Sequence, residues 1–183
     1  MSAPFWITGL PRSRTAWFAV AMRGPRSHCF HELTGDTASF EHMAALWLCG
    51  EPGQARGNSD SACGLHARRI LETLRPRTLI IERPVGEVVA SLSRLFERDM
   101  RAIAPMLERL EHSLSLGHPL IKRARFADLD EDRDAVIEAA EWLVPGHGER
   151  AAALMDLNIQ VTASRARQLT GMQHSLWHMK EAA

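Results

Sequence analysis

Apolar residues in this chain recur with two periods, one of strands and one of helices. Pro4 to Thr8 is a short run containing the β-formers Phe, Trp and Ile, closed by Gly9 and Pro11, and predicts a strand covered on both faces. Thr15 to Met22 is apolar nearly all round, which predicts a centrally buried helix stopped by Gly24-Pro25. His28 to Leu33 predicts a second, shorter strand. Asp36 is placed to cap the next helix, where Phe40, Met43, Ala44, Trp47 and Leu48 keep a helical period. Gly50 to Gly64, "GEPGQARGNSDSACG", is rich in Gly, Ser, Asn and Asp and predicts a loop. Its final "SDS" can cap a helix carrying Cys63, Ala67, Ile70, Leu71 and Leu74 on one face.

"TLIIERP", Thr78 to Pro84, predicts another strand, and Val88, Val89, Leu92, Leu95 and Phe96 mark the helix after it. Ile103, Met106, Leu107, Leu110 and Leu114 outline one more. Past the break at Gly117-Pro119, "LIKRARF", Leu120 to Phe126, alternates as a strand does, and Val136, Ala139, Ala140 and Leu143 line a further helix. The remainder reads as mainly helical, with Asn158 to Ser164 open between strand and loop. Strands alternating with helices at this spacing imply parallel pairing through right-handed crossovers. The expected fold is α/β, a three-layer α/β/α sandwich with a mostly parallel central sheet. Ligands of such folds gather beyond the carboxyl ends of the strands, which singles out the loops Gly9 to Arg14, Glu32 to Asp36 and Arg83 to Glu87.

With 183 residues and 45% apolar content, the chain fits one domain with its own core, residues 1–183. Lysine plus arginine and aspartate plus glutamate balance at 22 each, which excludes the basic excess of a general nucleic-acid binder. Any anion site is therefore local. Cys29, Cys49 and Cys63 lie far apart with no C-x-x-C pair, against both a zinc knuckle and a disulfide framework, and a reduced cytoplasmic interior suits them. No apolar run approaches bilayer length, and Met1 to Pro4 lacks the basic start and apolar centre of a secretion signal. A soluble protein with no membrane partner is expected. His28, Cys29 and His31 fall on alternating strand faces with no second ligand group at a usual spacing, so no metal is expected either.

The turn "GLPRSRT" carries more chemistry than a connection needs. A loop leaving a central strand and entering a helix aims backbone N–H groups at one point, where the helix dipole also favours negative charge. Arg12 adds a forked cationic donor, and the Ser13 and Thr15 hydroxyls add neutral donors at the helix entry. A nucleoside-triphosphate loop needs G-x-x-x-x-G-K-[ST]. Here Gly9 is followed five positions later by Arg14 and then Thr15, with no lysine, which disfavours a magnesium-dependent ATPase or kinase. Without a ligand, the same residues make a tight turn whose hydroxyls cap the helix. In the second constellation, Arg83 ends the "TLIIE" strand and Ser91 follows eight positions on. Pro84 and Ser91 share a helix face about 10 Å apart along the axis, so Arg83 can meet the Ser91 hydroxyl on one shared anion. Separately, each has a plainer role, as a surface ion pair and as a helix serine bonded to its own backbone.

"GLPRSRTAW" resembles the loop with which sulfotransferases bind the 5′ side of their donor, 3′-phosphoadenosine 5′-phosphosulfate, and "RPVGEVVAS" resembles that family's 3′-phosphate segment. The resemblance covers roughly residues 4–145 and implies a P-loop nucleoside-triphosphate-hydrolase-like sandwich. It implies donor binding by Arg12, Ser13, Arg14, Thr15 and Ala16, with Arg12 at the bridging oxygen and the Ser13 and Thr15 hydroxyls on the 5′-phosphate. It implies adenine stacking by Trp17 and a grip of Arg83 and Ser91 on the 3′-phosphate. "RFADL", Arg125 to Leu129, is similar to a structural segment of the family. The chain departs from the pattern at Arg14, where the family usually has glycine and a left-handed backbone would be strained. It also departs in its last residues: "TGMQHSLWHMK" offers Gly171 and Lys180 without the family's G-x-x-G-x-[KR] spacing, and Arg165 or Arg167 would have to substitute.

Sulfonate transfer is an in-line displacement that needs alignment, neutralisation of the leaving phosphate and removal of the acceptor's proton. "HELTGD" follows the second strand, which would stand Glu32 or His31 beside the first loop at the sheet's carboxyl edge and makes Glu32, and after it His31, the candidate general base, with Arg12 as the charge-neutralising catalytic group. Glu32 can equally pair with Arg12 or Arg14 in a purely structural role. The expected activity is sulfonate transfer to a hydroxyl or amine of a small-molecule or glycan acceptor. The alternative is a P-loop-like module that binds a nucleotide or other phospholigand without catalysis.

Overall fold

The computed structural model describes residues 3–157 and 159. Five strands, β1 (Phe5–Gly9), β2 (Ser27–His31), β3 (Ala55–Ser59), β4 (Arg77–Glu82) and β5 (Ile121–Arg125), form one sheet in the order β2-β3-β1-β4-β5. Every pairing is parallel. The connections carry α1 (Thr15–Ala21), α2 (Phe40–Leu48), α3 (Ala67–Thr73), α4 (Val85–Phe96) and α5 (Ala104–Leu114). After β5 come α6 (Phe126–Glu131), α7 (Arg133–Leu143) and α8 (Gly148–Ala152).

Strand alternation divides the core in two. Phe5 and Ile7 of β1 and Leu79 and Ile81 of β4 point to one face, against Trp17 and Phe18 of α1, Val136 and Ala139 of α7, and Ala151 of α8. Trp6 and Ile80 point to the other, against Met43 and Trp47 of α2, Ile70 of α3, Val88 and Leu92 of α4, and Leu107 and Leu110 of α5. Both faces of the sheet are covered by helices, as an all-parallel sheet requires. Each fully buried large apolar side chain contributes about 1.5–3 kcal/mol to holding these layers together.

The chain leaves β1 toward the β2 edge and leaves β4 toward the β5 edge, although the two strands are neighbours. That divergence opens a crevice between their carboxyl ends, the position where open α/β sheets hold ligands. Gly9 lets the strands close there: a Cβ on it would lie 2.5 Å from the Ile81 carbonyl oxygen.

The structure corrects the reading of residues 50–64 as loop. Ala55–Ser59 is β3, paired on both sides by β2 and β1. Its polar composition is tolerated because the fully buried residues Gly57, Asn58 and Ser59 are each provided for. The ring of Phe5 occupies the space over Gly57, where a Cβ would lie 2.0 Å from Cε2. Asn58 accepts from Leu33 N at 3.4 Å, and the Ser59 hydroxyl donates to the Thr15 carbonyl at 2.7 Å. At the next helix, Asp36 lies inside a 3-10 turn (Leu33–Asp36), and Ser39 caps α2 by accepting from His42 N at 3.1 Å. Of the C-terminal expectations, Asn158 to Ser164 apart from Ile159, together with Arg165, Arg167, Gly171 and Lys180, lie outside the described residues. Among the described residues no helix is long and apolar enough to cross a membrane.

Cys29 and Cys63 are buried and Cys49 is exposed. Burial pushes both buried thiols up, and for Cys63 the charge of Asp60 adds to the effect. Little thiolate therefore forms at either site near neutrality. A thiol alkylating reagent at mildly alkaline pH is expected to modify Cys49 alone in the native protein and all three cysteines after denaturation, as read by intact mass.

Candidate functional site

The loop after β1 turns sharply over the crevice, and two of its residues, Arg12 (φ 67°) and Arg14 (φ 60°), adopt left-handed backbone conformations. For a side-chain-bearing residue each costs about 1–2 kcal/mol and persists only where surrounding contacts fix it. Those contacts are present. Arg83, one residue past β4, donates to the Arg12 carbonyl oxygen, and Arg12 Nε donates to Ser91 Oγ of α4 at 3.3 Å. Arg14 is pinned on the other side of the turn, with Nη1 donating to the Leu129 carbonyl at 2.6 Å and Nη2 paired with Asp130 at 2.7 Å.

The structure therefore brings Arg12, Arg83 and Ser91 together, and the meeting point is Arg12 itself. The Arg83 guanidinium lies 3.9 Å over the Phe126 ring and its Nε faces Glu87 at 3.4 Å, leaving the side chain 11% exposed. Burial lowers the pKa of the half-buried Arg12 guanidinium, and the charges of Arg83 and Arg94 lower it further. Three guanidiniums thus share one field, and an anion placed among them relieves their mutual repulsion.

Ser13, in the centre of this loop, is 0% exposed, and its hydroxyl has no hydrogen-bond partner among the described residues. Leaving such a group unsatisfied costs about 1–3 kcal/mol. The hydroxyls of Thr8 near the end of β1 and Ser61 just past β3 are likewise buried without partners. No side chain caps α1, so capping does not account for the Ser13 and Thr15 hydroxyls. Because α1 has only seven residues, the cradle depends on these side chains more than on a helix dipole. Thr15 is buried behind Ser13, and Ala16 is partly exposed.

Two expected donor contacts are not formed in this arrangement. Trp17 is 1% exposed, packed edge-on to Phe18, and donates from Nε1 to the Leu154 carbonyl at 3.1 Å. It is a core residue of the α1 face and presents no free ring for a base. Arg14 is turned toward α6 and away from the crevice. Replacing it tests this placement. Arg14→Gly removes the left-handed strain and loses a partly exposed ion pair worth about 0–1 kcal/mol, so the midpoint of chemical denaturation is expected to change little.

Glu32 and His31 close β2 at the same edge of the sheet. Glu32 is 6% exposed, holds a left-handed φ of 54°, and its N–H donates to the Ser59 carbonyl at 3.0 Å. His31 Nε2 lies 3.8 Å from its carboxylate. The expectation that this pair stands directly beside the first loop needs correction, because β3 lies between β2 and β1. Two strand spacings, about 10 Å, separate the two strand ends.

Asp60, at the carboxyl end of β3, caps the turn that carries Cys63, as its place in the "SDS" segment suggested; its reach to the loop after β2 is what sequence reasoning missed. Asp60 is fully buried and accepts from Thr34 N at 2.8 Å, Cys63 N at 3.1 Å and Asn58 Nδ2 at 3.4 Å. It thereby ties the loop that carries Glu32 to the turn after β3. An aspartate followed by small residues at a strand end is the signal that would have found it, once β3 was recognised. Among the described residues no group of three His, Cys, Asp or Glu side chains is placed to hold a metal ion. Comparison with protein-family models, with curated proteins and with solved structures finds no match to this chain.

Proposed function

We propose that the chain is a P-loop-like, sulfotransferase-like enzyme that moves a sulfonate group from 3′-phosphoadenosine 5′-phosphosulfate to a hydroxyl or amine of a small-molecule or glycan acceptor. The observation that carries this reading is the meeting of Arg83 and Ser91, from β4 and α4, with Arg12 of the loop after β1. One ligand with phosphates at both ends of an adenosine needs donors from both loops. The buried, unpartnered Ser13 hydroxyl fits the 5′ end of such a ligand. Trp17 does not fit the role of adenine platform.

When bound, the donor supplies an activated sulfonate, whose bond to the bridging oxygen breaks as the acceptor attacks sulfur. Arg12 neutralises charge on the leaving phosphate, Ser13 and Thr15 orient it, and Arg83 with Ser91 fixes the far end. Glu32, with His31 beside it, takes the acceptor's proton.

Adenosine 3′,5′-bisphosphate is expected to raise the melting temperature, and ATP with magnesium is expected not to. Arg83→Ala should weaken the bisphosphate by tenfold or more, the loss of a charge-assisted contact of about 1.5–3 kcal/mol. Unchanged affinity, measured calorimetrically, would remove Arg83 from the site. The burial of Glu32 and the interposed β3 favour a second reading, a phospholigand-binding module without catalysis. If the bisphosphate binds while the parent protein and Glu32→Gln both fail to sulfate every acceptor offered, the second reading replaces the first.

A further inference from the structure

At the opposite edge of the sheet, where β3 and β4 begin, a cavity of about 270 Å³ opens between Arg26, Arg77 and His147 on one hand and Ala55, Leu143 and Pro145 on the other. The length of the strands, about 16 Å, separates it from the crevice described above. Its charge is unbalanced. Neither Arg26 nor Arg77 takes part in any ion pair among the described residues. Arg77 is held in place by donation from Nη1 to the Trp142 carbonyl at 3.1 Å and by the Trp142 ring, 5.6 Å from its guanidinium. The nearby carboxylate, Glu141, is already engaged by Gly146 N at 2.8 Å and Gly148 N at 2.7 Å.

His147 also lines this cavity. It is 5% exposed, with Nε2 fixed 2.6 Å from the Ser27 hydroxyl, while Nδ1 is buried without a hydrogen bond of normal geometry. Burial lowers its pKa first, followed by the charge of Arg26, with Arg150 adding to the effect; the Pro145 carbonyl and Glu141 oppose them. Positive potential in this cavity thus exceeds what its own carboxylate offsets.

We propose that this cavity binds a short-chain carboxylate. Its oxygens lie between the Arg26 and Arg77 guanidiniums, and its alkyl part lies against Ala55, Leu143 and Pro145, with the His147 ring beside it. A planar carboxylate suits forked guanidinium donors. The lining residues include no serine or threonine, and the remaining wall is apolar, which suits a carboxylate with a hydrocarbon body better than a phosphate.

The test is an NMR titration of the full chain with butyrate, followed at the His147 ring and Trp142 indole signals. Saturable shifts are expected, weakened about fivefold or more in Arg26→Gln, whose side chain is exposed and makes no hydrogen bond within the described fold. Arg77→Gln should weaken binding as well, and Arg12→Ala should leave it unchanged. Butyramide, the neutral isostere, should produce no saturable shift. Absence of saturation up to roughly 100 mM butyrate, an unaltered midpoint in Arg26→Gln, or equal binding of butyramide would overturn the proposal.

Discussion

Asp60→Ala is expected to lower the unfolding free energy by about 2–5 kcal/mol, the sum of leaving buried donors without an acceptor. Thr34 N and Cys63 N both donate to its carboxylate. Asp60→Asn separates charge from geometry. One carboxylate oxygen becomes an amide N–H facing a backbone N–H, so roughly half the loss should remain. Urea denaturation of the three proteins measures both effects. Because Asp60 anchors the turn that begins at Glu32, Asp60→Asn should also impair the proposed sulfonate transfer, if Glu32 is its base, at temperatures where the variant remains folded. A stability of Asp60→Ala equal to the parent's would show that the two loops are held by other means.

Gly57→Val should be at least as damaging. The added side chain would have to occupy the ring of Phe5, where even a Cβ lies 2.0 to 2.5 Å from three ring carbons. Phe5 is itself fully buried in the central strand and cannot rotate into solvent without opening the α1 face. Overpacking of a tight core costs about 1–3 kcal/mol and more where backbone must move, as it must here between two paired strands. Poor soluble yield, or a melting temperature lowered by more than about 5 °C, is the expected result. Phe5→Leu in the same chain should recover part of the loss, since it vacates the space over residue 57.

These two residues also mark where the sequence was hard to read. β1, β4 and the amphipathic helices follow from apolar periodicity, because burial there is achieved with apolar side chains, and β5, an edge strand with no fully buried residue, follows from its alternation. β3 is buried by other means: Gly57 makes room for a neighbour's ring, and Asn58 and Ser59 find partners in Leu33 N and the Thr15 carbonyl. Such a strand has the composition of a loop. Overlooking it hid the link from Asp60 to the loop after β2 and placed β2 one strand too close to β1, which misjudged the position of Glu32. The approach of Arg83 and Ser91 to the first loop was legible from strand ends and helix spacing. The direction of Arg14 and the burial of Trp17 were not, because both depend on how the left-handed residues Arg12 and Arg14 rotate the chain into α1.

The sheet order has a consequence for how the molecule is made. β1 precedes both of its neighbours in the chain by a long stretch, β3 ending at Ser59 and β4 at Glu82. Until those segments leave the ribosome, a nascent Phe-Trp-Ile sequence has no strand to join. Long-range parallel pairing of this kind slows folding, so the aromatic centre that gives the finished sheet its cohesion is also a segment whose apolar surface stays uncovered until distant partners arrive.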